Sequence, residues 1–472
     1  MKIVLYIVLL LSFSVWSQYI PTSSEIGCKS GYKISKILIS GNVKTKDFII
    51  NRELDFKIGD LICSKKLPEL IEINKNRIFN SGLFVSVHLA VDTSVAHETI
   101  VLITVQERFY TIPNIVFELA DRSFNEWWYQ RGHQLSRTNL GFGLQQHNIR
   151  GRNETFKINL QGGFTKNISL GYQIPYLNKK QTWGAQLAFG YTSNKQMLAY
   201  TAYNKQVFLK SDTRQFYKWL ANLAFTFRPS FFTSHKFTYE FARLHINDSL
   251  YALNTDYFAK SQQNVVGNSL AYTLIHDKRN IQAYATKGNL SVVELKKYGI
   301  LPSDYYKNTT ISISHSRFYP LPFQFYVANK TKVFYSVQKN IPYYNLKALG
   351  YNNDYVRGYD LYVIDGTSYG YNKFTIRKKL WATHMPVYSI FKKDSFKNIP
   401  FTFYLNGYAD VGYAFSEHLN INNSRLLNRS LEGFGLGIDM VTAYDFVLRT
   451  EYSFNELGEK RLFVYITTDI LF

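Results

Sequence analysis

The 472-residue sequence has few cysteines, few acidic residues and no long apolar run beyond its amino terminus. Its two cysteines, Cys28 and Cys63, allow at most one disulfide bond, and the sequence leaves open whether they pair or stay as thiols. No His/Cys cluster has metal-site spacing, and no G-x-S-x-G nucleophile motif occurs, so we predict no metal, no cofactor, no catalytic residue and no enzymatic activity. Without a mature apolar run of about 20 residues, membrane-spanning helices are excluded.

Residues 1–17 have the pattern of a secretory signal peptide. Lys2 supplies the positive start, residues 3–15 form the apolar core, and Ser17 is a small residue at the predicted cleavage site. This core is too short to span a membrane, so a cleaved signal is favoured over an anchor. The sequence therefore predicts an exported protein.

From about Thr111 onward, apolar and polar residues alternate. The chain is rich in aromatic residues, with 37 Tyr and 36 Phe. Segments of about 10 alternating residues, separated by turn-forming residues, are typical of transmembrane β-barrels with aromatic girdles. About 360 residues at roughly 22 per strand and connection predict an all-β antiparallel barrel of 16 strands over residues 111–472. One face of the last segment carries Leu462, Val464, Ile466, Ile470 and the terminal Phe472.

A strand that ends the chain on an aromatic residue looks like the closing strand of an outer-membrane barrel. The alternative is a buried terminal strand of a soluble sandwich. In an exported protein, the excess of 55 basic over 34 acidic residues favours contact with lipopolysaccharide phosphates or an anionic substrate, and a solvated lumen is an equal alternative. The basic residues are scattered, so no nucleic-acid partner is predicted.

Residues 32–110 have a different pattern, with both helical and strand periodicity. The pattern predicts a small α+β domain of order β-α-α-β-β with a three-stranded sheet. Its predicted elements are a strand over 34–39, helices over 45–54 and 64–80, and strands over 85–91 and 100–105.

Short motifs in this small domain resemble a polypeptide-transport-associated (POTRA) domain. They are Ile37-Leu38-Ile39-Ser40-Gly41-Asn42, Thr45, Arg52-Glu53-Leu54, Gly82-Leu83-Phe84 and Val105-Gln106-Glu107-Arg108. The segment Phe84, Val85, Ser86, Val87, His88 and Leu89 is predicted to form an exposed edge strand. Such an edge can bind an extended client or partner through its free backbone groups.

The barrel region carries a more specific motif, Val356-Arg357-Gly358-Tyr359, followed later by Asp410-Val411-Gly412. Together these residues resemble the VRGY and DxG motifs of the BamA/TamA superfamily, which comprises outer-membrane insertases and two-partner secretion transporters. The resemblance covers essentially the whole mature chain. It implies that a loop folds into the lumen and that Arg357 pairs there with Asp410.

The alternation by itself places Asp410 on the same, lumen-facing side as Asn406 and Tyr408. A buried guanidinium in the lumen needs a carboxylate partner, whereas an ordinary loop arginine does not. One departure from the family pattern is Lys373, close to where many relatives have an acidic residue.

The resemblance implies a protein insertion or translocation factor in the outer membrane of a Gram-negative bacterium, with the small domain in the periplasm. Its clients would be unfolded outer-membrane or secreted polypeptides, and its partners periplasmic chaperones, accessory lipoproteins, the lipid bilayer and lipopolysaccharide. Clients would pair at a seam between residues 461–472 and a first barrel strand near Gly141–Gln146. The alternatives are a two-partner secretion pore and a passive porin, which accounts for neither the small domain nor Arg357 and Asp410.

Overall fold

The computed structural model describes residues 31–92, 99–119, 123–351, 353–385, 399–417, 424–442 and 446–467. The predicted signal peptide, Cys28, Ile470 and Phe472 lie outside these residues. No helix in the described part of the chain is both long and apolar enough to cross a membrane.

The N-terminal domain is a four-stranded sheet with two helices. Its elements are β1 (Gly31–Ser40), α1 (Asp47–Asn51), β2 (Leu61–Cys63), α2 (Leu67–Asn80), β3 (Phe84–Asp92) and β4 (Thr99–Glu107). The strand order is β2-β1-β4-β3, with β1 parallel to β4 and the other pairs antiparallel. The predicted α+β class is confirmed, but the prediction of three strands was wrong. It missed β2, because three residues are too few to show a periodic pattern.

The core of this domain lies between the sheet and the helices. It contains Ile34, Ile49, Ile50, Ile78, Leu83, Phe84, Val87, Val101 and Ile103. A bulge between Phe84 and Ser86 shifts the alternation of β3, so that Phe84 and Val87 are buried while Val85 is only half-buried. Cys63, at the end of β2, is disulfide-bonded.

The rest of the described chain is almost entirely β-structure. Its elements are β5 (Thr111–Leu119), α3 (Phe124–Gln130), β6 (Thr138–His147), β7 (Thr155–Gly163), β8 (Thr165–Ile174), β9 (Trp183–Asn194), β10 (Met197–Ala202), β11 (Lys205–Leu209), β12 (Phe216–Phe227), β13 (Thr233–Ile246), α4 (Asp248–Leu253), β14 (Asn264–Asp277), β15 (Gly288–Tyr298), β16 (Asn308–Leu321), β17 (Phe325–Ser336), β18 (Ser368–Met385), β19 (Ile399–Phe415), β20 (Ser430–Thr442), β21 (Val447–Asn455) and β22 (Lys460–Thr467).

All of these strands except β10 and β11, which form a separate hairpin, belong to one antiparallel sheet of 16 strands. This confirms the predicted strand number. Each strand pairs with the next in the sheet, from β5 at one end to β22 at the other. One face exposes large apolar side chains such as Trp219 and Phe225, while the other buries polar ones such as Asp410. Because α3 follows β5 closely in the chain and contacts β22, the two ends of the sheet lie together.

The predicted position of the first barrel strand was wrong. Residues Gly141–Gln146 belong to β6, the second strand of the sheet, and β5 is the first. The sequence of β5 contains Pro113, which normally argues against a strand. At the end of a sheet, however, a strand can accommodate proline, because some of its backbone N–H groups need no ladder partner.

The N-terminal domain contacts the turns at one end of the barrel, here called the near end. Lys46 donates its backbone N–H to Gly151 O in the β6–β7 turn at 3.0 Å, and Asn80 donates to Asn280 O in the β14–β15 turn at 3.0 Å. The loops that join β5 to β6, β9 to β12 and β17 to β18 lie at the opposite, far end, because successive antiparallel strands alternate in direction.

Candidate functional site

The far-end loop over residues 337–367 packs against the inner side of β19 and β20. Two strand glycines make room for the loop, Gly433 for its backbone and Gly412 for the Val356 side chain. A Cβ atom on Gly433 would lie 1.9 Å from Arg357 O, and one on Gly412 would lie 2.4 Å from Val356 Cγ2. Gly358 has a φ of +91°, a conformation that L side chains rarely adopt. The loop can therefore pack closely against the barrel wall, because the wall has no side chain at Gly412 and Gly433 and because Gly358 allows the loop backbone to turn.

Arg357 lies in a buried pocket of acceptors. Its Nε donates to Asp410 Oδ2 at 2.8 Å and its Nη2 to Asp410 Oδ1 at 2.6 Å, a bidentate pair. Its Nη1 donates to Glu451 Oε1 at 3.2 Å, and its guanidinium lies 3.8 Å from the ring centroid of Tyr408. The side chains of Arg357 and Asp410 are 4% and 0% exposed. The structure thus brings the two predicted residues together inside the barrel.

A second arginine extends this network along the barrel wall. Arg449 donates to both oxygens of Asp439, at 2.8 and 3.2 Å, and lies 3.6 Å from Glu451. Asp439 also accepts from Tyr284 Oη at 2.6 Å. Sequence reasoning missed Asp439, Arg449 and Glu451. The signal was present in β21, where Arg449 and Glu451 are two residues apart and therefore share the inner face.

The loop also holds the last two strands of the sheet. Asp360 accepts from Tyr465 Oη at 2.6 Å and from the Gly358 N–H at 3.1 Å. Asn455 Nδ2 donates to Gly358 O at 2.8 Å. Tyr359, the last residue of the predicted motif, is buried in an apolar cluster with Val356. The motif residues and Asp360 therefore join the loop to β19, β20, β21 and β22.

Lys373 lies beside this network on β18. It faces Asp410 across the β18–β19 ladder, and its ammonium is 3.8 Å from the ring centroid of Tyr355. The departure from the family pattern thus adds a positive charge near Asp410. A separate ion pair joins Lys332 to Asp354 at 2.7 Å.

The other predicted site residues lie in two other places. Ile466 is on the outer face of β22, with 61% of its surface exposed. Phe84–Leu89 lie in β3, which is an end strand of the N-terminal sheet. His88 is exposed on that strand. Among the described residues, no group of three or more His, Cys, Asp or Glu side chains could hold a metal ion.

At the seam between the ends of the large sheet, β22 pairs with β21 on one side. Within the described residues, no ladder joins its other edge to β5. The described contacts at that edge come from the far-end helix α3, through Asn125 and Tyr129.

Comparison with protein families agrees with this architecture. A POTRA model, described as a surface antigen variable number repeat, matches residues 32–108, and a model of the Omp85 superfamily domain matches residues 148–455. The chain belongs to the Omp85 superfamily. It is an outer-membrane β-barrel protein of the BamA/TamA type with one POTRA domain. Membership supports a role in inserting or secreting polypeptides, as a transporter or assembly factor rather than an enzyme.

Solved structures share the fold of this Omp85 member at low sequence identity. BamA from Haemophilus ducreyi lacking POTRA domains 1–3 is 14% identical with a TM-score of 0.51, and the match covers 92% of this chain and 84% of that one. CdiB from Escherichia coli is 10% identical with a TM-score of 0.51, covering 96% and 92%. No curated protein sequence matches the chain significantly. At these identities the likeness is one of fold.

Proposed function

We propose that this protein inserts unfolded outer-membrane polypeptides, or moves them across the membrane, by strand pairing at the seam between β5 and β22. The observation that carries the proposal is the missing ladder between these two strands among the described residues. Unpaired N–H and C=O groups on a strand edge template the addition of another strand. No covalent step is required.

The occupied lumen supports lateral entry over passage through the barrel. The loop over 337–367 fills space between β18, β19 and β21, where Arg357 is bound to Asp410 and Glu451. At the far end, Asn204 in the β10–β11 turn donates to Val363 O at 3.1 Å and to Ser424 Oγ at 2.8 Å, which ties three loops together. A passive porin would need an open path, and a secretion pore would have to move this loop.

In this proposal the near end and the POTRA domain over 32–110 face the periplasm of a Gram-negative bacterium. The far-end loops then face the cell exterior and lipopolysaccharide. The end strand β3 offers extended clients, chaperones or accessory lipoproteins a backbone edge before the client reaches the seam.

The seam can be tested by cross-linking β5 to β22 with a cysteine pair in the protein reconstituted into liposomes. We expect the cross-linked protein to remain folded and to stop inserting an unfolded barrel client. A cysteine pair replacing Ala221 and Phe241, which already face each other in the β12–β13 ladder, controls for the cross-link itself. If the seam-locked protein inserts clients normally, lateral entry is wrong.

The second candidate, two-partner secretion, predicts a different phenotype. Depletion of the protein followed by quantitative proteomics of the outer membrane and the medium separates the two functions. Loss of other barrel proteins indicates insertion. Loss of a secreted protein with unchanged barrel proteins indicates secretion.

A further inference from the structure

One region of the outer wall of the barrel is polar near the middle of its strands. On β16 the outward residues Ile313 and Tyr319 are more than one third exposed, and two polar residues, His315 and Arg317, lie between them on the same face. Ladder pairing continues this polar region onto the neighbouring strands β15, β17 and β18. We call it the wall patch, and it consists of Ser291, His315, Arg317, Asn329, Thr331 and Asn372.

The wall patch differs from the outer face of other strands in the same sheet. On β20, the successive outward residues Phe434, Leu436 and Ile438 are apolar and more than half exposed. Hydrocarbon supplies no hydrogen-bond partner, so polar and charged side chains on the lipid face destabilise a barrel most at mid-membrane. The wall patch is therefore better suited to contact with protein than to contact with lipid.

The patch residues bond one another and still have unused hydrogen-bonding groups. The side-chain amides of Asn329 and Asn372 bond reciprocally at 3.0 and 3.1 Å, and Asn372 Nδ2 also donates to Thr331 Oγ1 at 2.8 Å. Ser291 Oγ lies 2.8 Å from His315 Nδ1. Among the described residues, this leaves the second Nδ2–H of Asn329, the Thr331 hydroxyl proton and the second ring nitrogen of His315 without a protein partner.

The charge of Arg317 is directed away from the centre of the patch. Its guanidinium lies 4.7 Å from the ring centroid of Tyr319, which is two residues closer to the near end of β16. A long basic side chain on a lipid-facing wall can bend in this way towards the membrane surface. The centre of the patch therefore consists of amide, hydroxyl and imidazole groups.

An apolar groove lies beside the patch on the same wall. Gly370 of β18 is the outward residue next to Asn372, so the wall has no side chain at that position. The groove has a volume of about 290 Å³, and its outward lining includes Val333, Tyr335, Tyr413 and Phe415. Small residues let protein surfaces approach closely within a membrane, and polar side chains between them can hydrogen-bond. The groove and the patch together form a surface that another protein wall can pack against.

We propose that the wall patch is the contact between two copies of this chain, related by a twofold axis along the membrane normal. Rotation about such an axis keeps every residue at its own height in the membrane, so the polar patch of one copy meets the identical patch of the other. Amide, hydroxyl and imidazole groups can both donate and accept hydrogen bonds, so the patch is complementary to itself. A different membrane protein would need a matching polar surface at the same height, which a second copy supplies by identity.

This contact is independent of the proposed function. Three strands, β19, β20 and β21, lie between β18 and the seam strand β22. The seam therefore stays accessible in both copies of the dimer.

Single cysteines test the contact in outer membranes isolated from cells that express the full chain. We expect oxidation to give a disulfide-linked dimer in Thr331→Cys or Asn372→Cys, because residues near a twofold axis lie beside their own copies. Trp219→Cys, at an exposed outward residue of β12, is the control and should stay monomeric. No dimer from either patch cysteine, an equal yield from Trp219→Cys, or cross-linking to a different protein overturns the proposal.

Apolar substitutions separate the contact from a role in folding. Asn372→Leu and Thr331→Val make the wall more apolar, so the barrel should keep its heat-dependent gel mobility while the dimer dissociation constant in bilayers rises about tenfold. Single-molecule photobleaching over a range of protein-to-lipid ratios measures this constant. Thr450→Val makes the same change at an outward residue of β21 and is the matched control.

The dilution series also separates a protein contact from a lipid site. A monomer at every protein-to-lipid ratio overturns the proposal, and so does a dissociation constant that neither patch variant changes. A monomer that retains a lipid in native mass spectrometry, and loses it in Asn372→Leu, would assign the wall patch to lipid and equally overturn the dimer. If a patch variant does not fold, the cysteine cross-links decide.

Discussion

The buried charges around Arg357 balance one another. Arg357 has two carboxylate partners, Asp410 and Glu451, and Glu451 also has Arg449 nearby. Removing charges from water is costly, and a buried ion pair offsets that cost only when its geometry is good and its remaining hydrogen bonds are satisfied. The network therefore contributes more to fixing the position of the loop than to overall stability.

Because Arg357 has two carboxylate partners, we expect substitutions of Arg357 and of Asp410 to lower the free energy of unfolding by different amounts. Arg357→Ala leaves the Asp410 carboxylate without its bidentate partner and should cost about 3–5 kcal/mol. Asp410→Asn should cost less, because Arg357 keeps Glu451. The measurement is the free energy of unfolding of the barrel in detergent. Arg429→Ala, at an exposed arginine, is the control. If Asp410→Asn lowers the free energy of unfolding more than Arg357→Ala does, this description of the network is wrong.

A glycine on the barrel wall tests the loop position without changing a charge. Gly433→Ala places a methyl group against the Arg357 carbonyl, a backbone contact that cannot be relieved by rotating a side chain. We expect the loop to leave the wall and trypsin to cleave after Arg357, as measured by mass spectrometry. Gly162→Ala is the control, because a Cβ atom there has no neighbour within 4 Å. Equal protection of Arg357 in both variants would show that the loop does not need this close approach.

At the scale of elements, β3 and β22 resemble each other because each is an end strand of its sheet. Both β3 and β22 pair on one side with a single strand, β4 and β21 respectively, among the described residues. Edge strands are commonly blunted by charges, proline, bulges or a covering helix. Here β3 has a bulge at its start and β22 has α3 beside it.

Proline in β3 should impair client handling while leaving the barrel folded. His88→Pro, or Ser86→Pro, removes one backbone N–H and interrupts the strand as a docking edge. The matched control is His88→Ala, which keeps the N–H. The readout is cross-linking of an unfolded client to the N-terminal domain, with heat-dependent gel mobility as a check on the barrel. If the client still cross-links fully to His88→Pro although hydrogen exchange shows that the edge of β3 is disrupted, β3 is not the docking edge.

At the scale of the whole molecule, a partly buried ion pair joins the N-terminal domain to the near end of the barrel. Arg228 in the β12–β13 turn donates to both oxygens of Glu53, at 2.8 and 3.0 Å, and Glu53 also accepts from Arg52 at 2.8 Å. Thr45, which the sequence suggested as the start of a helix, instead bonds Tyr110 Oη and Asn148 Nδ2. Burial raises the pKa of the Tyr110 phenol, so it stays neutral.

Loss of the Glu53 carboxylate should release the domain from the barrel. Glu53→Gln leaves Arg228 without its bidentate partner, and a spin-label distance between residues 80 and 282 should broaden and lengthen. The starting state is defined by the hydrogen bond from the Gln282 N–H to Asn80 Oδ1 at 3.2 Å. Asp47→Asn is the control, since its carboxylate accepts from Asn42 within the domain. An unchanged distance distribution in Glu53→Gln would show that the other contacts between the domain and the barrel are enough to hold the domain in place.

Much of the architecture could be predicted from local patterns. Alternation fixes which face of a strand an amino acid occupies, so Asp410 could be assigned to the inner face before its partner was known. The same rule applied to Arg449 and Glu451 would have placed them on that face too. It failed in β3, where a bulge moves Phe84 into the core, and in β5, where Pro113 hides the strand.

The sequence by itself determined the class of the protein, its small domain and its 16 strands, because period-2 alternation is a local property. The pairing of Arg357 with Asp410 was implied by the resemblance of two short motifs to those of the family. Only the tertiary structure decided that Arg449 joins the network, that Glu53 meets Arg228, and that Asn125 bonds Val464. The last two contacts join residues 175 and 339 positions apart in the chain. Such contacts depend on how the two ends of the large sheet come together and on how the N-terminal domain packs against the barrel. Neither arrangement can be predicted from the spacing of residues in the sequence.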